Sequence, residues 1–495
     1  ATVNFIRKRP TADTNASVAV TGGSWDKKRI VGDVSGAVSE SGAVRGRVVA
    51  GYEDKGSYLD RYNNEKQMFY GVLEADLTDT TLLTLGHAVQ TSDTDSPLWG
   101  ALPLFYSDGS ATDFARSTST ASDWSYWDNT QHNSFVELRQ ELAGGWRATG
   151  TVFRLENESE SELFYQYGTP DRQTGEGLKA YPSQYDLDVE QWVVDAYATG
   201  PFQLADRTHE LVLGASWSRS ETVDESRYGR GIGNPLPPLN EWDGNYPKPA
   251  FDNGVGGSDW TDRETSTYAA ARWSLTDQLT AITGLRLTWL DNKGESYGAT
   301  KESSYDAVKT PYAGLIYDIN DDHSVYASYT EIFTPQTEVD INRDRLDPID
   351  GVNYELGLKS EFQNDRVNTT IALFQTEQKN VAEAEGVFSG TNDSYYTAVD
   401  GLTSQGVEAE IVGDLTDRIQ LFAGYTYVDI EDKDGKGAKS FVPEHLAQLR
   451  ATWKVPGVEG LKLGGKVRWQ SEITQEQGVA TTGPNAGETI VTEQD

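Results

Sequence analysis

The sequence predicts an all-β protein, a transmembrane antiparallel up-and-down β-barrel with short turns at one rim and long loops at the other. Three observations carry this expectation: a hydrophobic period of two along the whole chain, a strict alternation of short and long connections, and an excess of aromatic residues without any apolar run long enough for a membrane helix.

The period is read strand by strand. In AVRGRVVAGY, Val44, Gly46, Val48, Ala50 and Tyr52 share one face, and Arg45 and Arg47 the other. LAQLRATWKV sets Ala447, Leu449, Ala451, Trp453 and Val455 against Gln448, Arg450, Thr452 and Lys454; LKLGGKVRW sets Leu461, Leu463, Val467 and Trp469 against Lys462, Lys466 and Arg468. FVELRQEL repeats it with Val136, Leu138 and Leu142 against Glu137, Arg139 and Glu141. A soluble sandwich would alternate in the same way, so the connections decide. Between about 19 such runs, tight links such as SESG (39–42), TDT (78–80), AGG (143–145), TDQ (276–278) and QNDR (363–366) alternate with long irregular stretches near 93–130, 157–185, 222–264, 291–309, 333–352 and 380–401. In a meander, alternate connections share a rim, so the short ones collect at one end and the long ones at the other, as in outer-membrane barrels.

Composition supports that class. The chain has 495 residues, 13 Trp and 25 Tyr, which suit girdles at a membrane interface or a ligand-binding mouth. Its 42 Lys+Arg against 77 Asp+Glu give a net charge of −35, which argues against a nucleic-acid partner. No cysteine is present, so disulfide frameworks and thiolate metal sites are excluded. A mean hydropathy of −0.57 is what results when only every second strand residue is apolar.

Several ordered motifs then resemble the TonB-dependent siderophore receptors, and most closely the ferripyoverdine and ferric coprogen branch. VNFIRKRPT (3–11) looks like the last segment of the family's plug, and GSWDKKR (23–29) like its first barrel hairpin, with Lys28 where a tyrosine is usual. GALPLFYSDGSATDFARSTSTASDWSYWD (100–128) is similar to the third long extracellular loop. VYASYTEIFTPQ (325–336), DPIDGVNYELGLKSEF (347–362), SQGVEAEI (404–411) and VPEHLAQLRATWKVPG (442–457) complete the resemblance.

The resemblance implies a 22-stranded barrel around a plug, of which this sequence would hold residues 1–13 as the end of the plug and 14–495 as an incomplete barrel. The last strands, most of the plug and the energy-coupling box would lie outside it, and residues 477–495 would be a loop without a returning strand. It implies outer-membrane uptake of a ferric siderophore, the transported ligand, with no permanently bound cofactor and no catalysis. Implied partners are the TonB energy-coupling complex and the lipid and lipopolysaccharide of the outer membrane, with the receptor a monomer. A passive porin and TonB-dependent uptake of a different ligand are the alternatives; a barrel enzyme such as a phospholipase is the third.

A large chelate with much organic surface calls for aromatic walls. The candidates are Trp99, Tyr106, Trp124, Tyr126 and Trp127 from one long loop, Tyr165 and Tyr167 from the next, and Trp242, Tyr246 and Trp260 from the third. Loop-to-loop packing or an upper interface girdle would use the same rings. Trp217, Trp273, Trp289, Trp453 and Trp469 are in phase with apolar neighbours and read as girdle or lipid-facing residues, while Arg45, Arg47, Arg139, Arg450 and Lys466 face the lumen. Enzyme motifs are lacking: the five histidines have no metal spacing, no G-x-S-x-G occurs, and DIEDKDGKG (429–437) puts Ile430 and Phe441 where a calcium loop needs oxygen ligands.

Overall fold

The structure is a computed structural model and describes residues 6–300, 302–364, 366–388 and 394–494. Its strands in chain order are β1 (Asn15–Gly22), β2 (Lys28–Ala37), β3 (Val44–Gly56), β4 (Asn63–Thr78), β5 (Thr81–Asp95), β6 (Tyr126–Glu141), β7 (Arg147–Tyr167) and β8 (Lys179–Leu204). They continue as β9 (Arg207–Tyr228), β10 (Val255–Ser274), β11 (Leu279–Ser296), β12 (Ala299–Thr300), β13 (Ser303–Asn320), β14 (His323–Thr334), β15 (Ile349–Phe362) and β16 (Val367–Lys379). The remainder are β17 (Val381–Val387), β18 (Ser394–Val399), β19 (Thr403–Asp414), β20 (Ile419–Glu431), β21 (His445–Lys454), β22 (Lys462–Gln470), β23 (Ile473–Val479) and β24 (Thr489–Gln494).

Twenty of these form one antiparallel sheet in which neighbours in sequence are neighbours in space. One of the twenty, β12, is a two-residue return, so nineteen long strands carry the meander that the alternation predicts. Among the described residues β1 pairs only with β2 and β22 only with β21. Both edge strands are exposed along almost their whole length.

Several expectations about loops are corrected: within 291–309 β11 reaches Ser296 and β13 begins at Ser303, and within 380–401 β17 and β18 pair with each other. The stretch 157–185 is not irregular: β7 and β8 stay paired from Arg147↔Thr199 out to Tyr167↔Lys179. Polar residues occupy both faces there, so the period of two is invisible to hydropathy although the ladder persists. Within 477–495 the loop is not irregular, since β24 pairs with β23 around the turn that contains Pro484 and Gly487, but this hairpin is a separate two-stranded sheet and not a further strand of the barrel sheet; residue 495 lies outside the described residues.

The two faces of the sheet are chemically distinct. One face carries exposed Val34, Val48, Leu73, Leu85, Val136, Val152, Val194 and Trp217, which line up strand to strand. The opposite face receives residues 7–11. Arg7 lies 4.5 Å over the Phe135 ring and 5.3 Å over Phe153. Phe135 itself spreads over Gly86, where a Cβ would meet the ring at 2.2 Å, so glycine is required for this close approach. The first face is the lipid side and the second the lumen side, since an exposed apolar surface of this extent has no place in water.

Candidate ligand-binding site

On the lumen side near the short turns, residues 7–11 are fixed by charge. Arg9 donates to Glu74 at 2.9 Å, to the Thr84 hydroxyl at 2.8 Å and to Glu137 at 2.7 Å. Arg47 donates to the Arg9 carbonyl at 3.0 Å and holds Asp33, which also receives Lys8 at 2.9 Å. Tyr70 donates to the Lys8 carbonyl at 2.9 Å, and the Thr11 amide donates to Ser35 at 2.8 Å. A charge-assisted network of this density fixes the strip against the wall. Of the lumen-facing arginines read from the sequence, Arg47 touches the strip; Arg45 pairs with Asp76 at 2.6 Å and Arg139 with Glu137 at 3.4 Å.

At the other rim the paired part of β7 and β8 stands as a two-faced ribbon. On one face Phe164 is fully buried with Leu178, Ala180, Leu236 and Leu239. Trp242 stacks on Phe164 at 5.3 Å, Trp124 meets it edge-on at 5.9 Å, and Tyr246 closes the group at 4.7 Å. The indole N–H of Trp124 is donated to the Tyr246 carbonyl at 2.8 Å and that of Trp242 to the Ala121 carbonyl at 3.0 Å. Three loops are thereby joined into one dry core, and these three candidate rings are consumed by it.

On the opposite face, Trp99 lies 5.7 Å from Tyr165, 6.2 Å from Tyr181 and 5.4 Å from Tyr185. Tyr167 stacks beside Tyr165 at 6.3 Å, and Tyr228 meets Tyr181 at 6.0 Å. Gly100 holds φ +87, and a Cβ there would strike the Tyr165 ring at 2.2 Å, so the loop backbone lies flat on the wall. The uninterrupted register from Phe153 to Tyr165 puts this wall on the lumen side. It is a continuous aromatic surface with phenol hydroxyls at its edge, the kind of lining that binds a large, partly apolar ligand.

The remaining candidates are dispersed. Trp127 is on the lumen face of β6, 39% exposed, and donates its indole N–H to Ser159 at 2.9 Å. Tyr126, one residue earlier, stands on the other face of the same strand, in register with Glu162. Trp260 is on the lumen face of β10 and donates to Asp262 at 3.2 Å. Tyr106 sits in a tight turn with its ring 6.5 Å from Phe114. Sequence reading missed Tyr181, Tyr185 and Tyr228. The first two were detectable, because their spacing of four keeps them on one face of a strand, but only once that stretch is recognised as strand.

The rim loops carry anionic turns. Asp171 accepts the Gln173 and Thr174 amides at 2.9 Å each, and Asp108 accepts the Ser110 amide and hydroxyl. These hydrogen bonds favour the charged forms and hold both carboxyls below the ordinary range. Among the described residues no three His, Asp or Glu side chains converge as a metal site.

This architecture defines a class of protein. Residues 69–491 match the family described as TonB dependent receptor-like, beta-barrel, and the chain belongs to that family of bacterial outer-membrane barrels. Within it, the chain is 37% identical over 489 residues to the ferric-pyoverdine BN7/BN8 receptor of Pseudomonas putida and 36% identical over 487 residues to the ferripyoverdine receptor of Pseudomonas aeruginosa. Each match covers 96% of this chain and 59% of the relative, so the chain spans about three-fifths of the length of these proteins. A solved structure of the ferripyoverdine receptor of the Pseudomonas aeruginosa outer membrane, bound to ferripyoverdine, superposes with a TM-score of 0.91 at 33% identity. That superposition covers 99% of this chain and 65% of the other.

Proposed function

We propose that the chain supplies the barrel wall and the loop half of the binding site of an outer-membrane importer for a ferric siderophore of the pyoverdine type, energised through TonB. The observation that supports it best is the lumen-side wall of Trp99, Tyr165, Tyr167, Tyr181, Tyr185 and Tyr228. Such a wall takes the flat organic part of a chelate, while its phenols orient the polar edge. Trp127 and Trp260 flank the same face, and both belong to the reading. Residues 1–13 act as the end of a plug, held by the Arg9 network until energy coupling releases it. Iron is cargo on this view, and the chain performs no bond chemistry.

A passive porin fits less well, because residues 7–11 occupy the lumen face instead of leaving it to water. The test is uptake of radio-iron by cells that express the complete receptor, across a panel of ferric pyoverdines, hydroxamates and catecholates, with a small sugar as the porin control. Energy-dependent uptake of a ferric pyoverdine is expected. Sugar diffusion without uptake of any chelate would overturn the reading.

A further inference from the structure

We propose that Tyr297 is a specificity-determining residue of the ligand site, a fixed end-stop of the aromatic wall that limits how large a chelate the wall accepts. The inference rests on the siderophore reading above and deepens it by naming what sets the size of the ligand. Tyr297 stands at the turn between β11 and β12, apart from the strands that carry the other rings.

The first observation is where its hydroxyl goes. Tyr185 pairs with Ser226 across β8–β9, and Ser226 pairs with Gly256 across β9–β10, so one row of the lumen face leads from the wall toward β11. Tyr297 reaches back along that row and shares a hydrogen bond of 2.5 Å with the Ser226 hydroxyl. Its ring crosses Gly256, where a Cβ would lie 3.2 Å from the Tyr297 ring and 3.8 Å from the Tyr228 hydroxyl. The ring therefore follows Tyr228, one strand further along. The row below, formed by Leu187, Asp224, Ser258 and Ser296, holds no ring, so the continuous wall ends here.

The second observation is that the turn is built against its own preference. Ser296 pairs with Ala299, which leaves Tyr297 and Gly298 as a two-residue turn with φ of +49 and +78. Such turns favour Asn-Gly, because both residues must be left-handed and few side chains adopt that region without strain. A tyrosine at the first position is an outlier. Packing does not compensate, since 53% of the residue stays exposed. The Tyr297 amide donates to the Gly257 carbonyl at 2.8 Å, a bond that any residue except proline would make. What the tyrosine alone supplies is a ring at this spot, and strained residues of this kind collect at ligand clamps.

The third observation makes the ring a stop instead of a flap. Ser226 is fully buried, so the phenol is tied to a fixed point of the sheet, while Gly257 holds the backbone. A ring fixed at both ends rejects an oversized ligand by overlap, and its uncovered surface meets one that fits. Removing it therefore acts with opposite sign on small and large ligands.

The test is fluorescence titration of the complete receptor with ferric pyoverdines of increasing peptide length. The unaltered receptor should prefer the compact ones, and Tyr297→Asn should reduce that preference about tenfold, the scale on which a pocket discriminates by size. Tyr297→Phe keeps the ring and should retain most of the preference. Amide exchange at 294–298 separates this from a structural role: asparagine suits the left-handed turn, so protection should hold or rise while selectivity falls. If Tyr297→Asn fails to assemble, Tyr297→Gly, which meets the same φ, takes its place. An unchanged preference, none to begin with, or protection and selectivity lost together would overturn the end-stop, as would Tyr297→Phe behaving like Tyr297→Asn. Absence of binding of every ferric pyoverdine by the unaltered receptor would instead sink the siderophore reading, and this one with it.

Discussion

Phe164 and Tyr165 are neighbours in sequence with opposite roles. Phe164 is fully buried in a core that joins three loops, and Tyr165 lies in a wall of rings on the lumen side. Strand parity alone separates them. The comparison teaches that an aromatic-rich loop is not uniformly a binding surface: one face of the ribbon spends its rings on holding the loops in place, and that scaffold lets the other face present rings in a fixed array.

The sharpest way to break the comparison is to empty the dry face. Phe164→Ala removes a fully buried ring and should cost about 3–5 kcal/mol of loop stability, whereas Tyr165→Ala on the other face should cost much less. Hydrogen exchange across 99–125 and 229–254 provides the readout: faster exchange is expected in the first variant and little change in the second. Equal loosening in both would show that the two faces form one core.

A subtler exchange keeps the rings and changes only a hydroxyl. Phe164→Tyr places a phenol O–H in a pocket closed by Trp242, Trp124 and Leu239, and an unpaired buried hydroxyl costs about 1–3 kcal/mol. The reciprocal Tyr165→Phe should leave thermal stability within about 0.5 kcal/mol. Melting of the loop region, followed by tryptophan fluorescence, tests the pair.

The wall face has its own measurement. Tyr181→Ala removes the ring that touches Trp99, Tyr165, Tyr167 and Tyr228 and should weaken ferric pyoverdine binding about tenfold, the equivalent of about 1.4 kcal/mol. Trp242→Phe preserves the stack on Phe164 and should change affinity less than threefold, roughly 0.6 kcal/mol. Fluorescence titration of the complete receptor distinguishes them, and a larger loss for Trp242→Phe would move the binding surface to the other face.

These contrasts also explain what the sequence could convey. The meander was legible because lipid on one side imposes apolar residues at every second position, as in Val44 to Tyr52, and because short turns mark one rim. Loop strands were not legible, since water and ligand impose no such rule: ESESELFYQY (158–167) sets carboxylates on one face against hydroxyls on the other, so both faces are polar, and it places rings on both. Residue type identified Trp124, Trp242 and Tyr246 as functional candidates and could not assign them to the closed core, because an indole that donates to a backbone carbonyl looks the same in sequence as one that meets a ligand. The strip at residues 7–11 was legible only as a resemblance to the end of a plug, because the partners of its Arg9 and Lys8, Glu74, Glu137 and Asp33, lie on distant strands and only register brings them to it.

The smallest expected effect lies at the tip of the ribbon, where Asp171 ties the turn by accepting the Gln173 and Thr174 amides. Those bonds depress its carboxyl below the ordinary aspartate value of 3.8. A depressed carboxylate stabilises the folded turn at any pH above the ordinary value and loses that contribution as pH falls through the folded value. Acidification from pH 5 should therefore leave the tip intact until about pH 4 and loosen it below that. Asp171→Asn, whose amide oxygen still accepts but carries no charge, should show a looser turn at neutral pH and no further acid step. Amide exchange at 172–176 is the measurement. The rings of Phe164 and Tyr165 sit in the ribbon below this tip, so exchange around them should be indifferent to the same acid step. An acid transition that reached the ribbon would mean that tip and wall open as one unit.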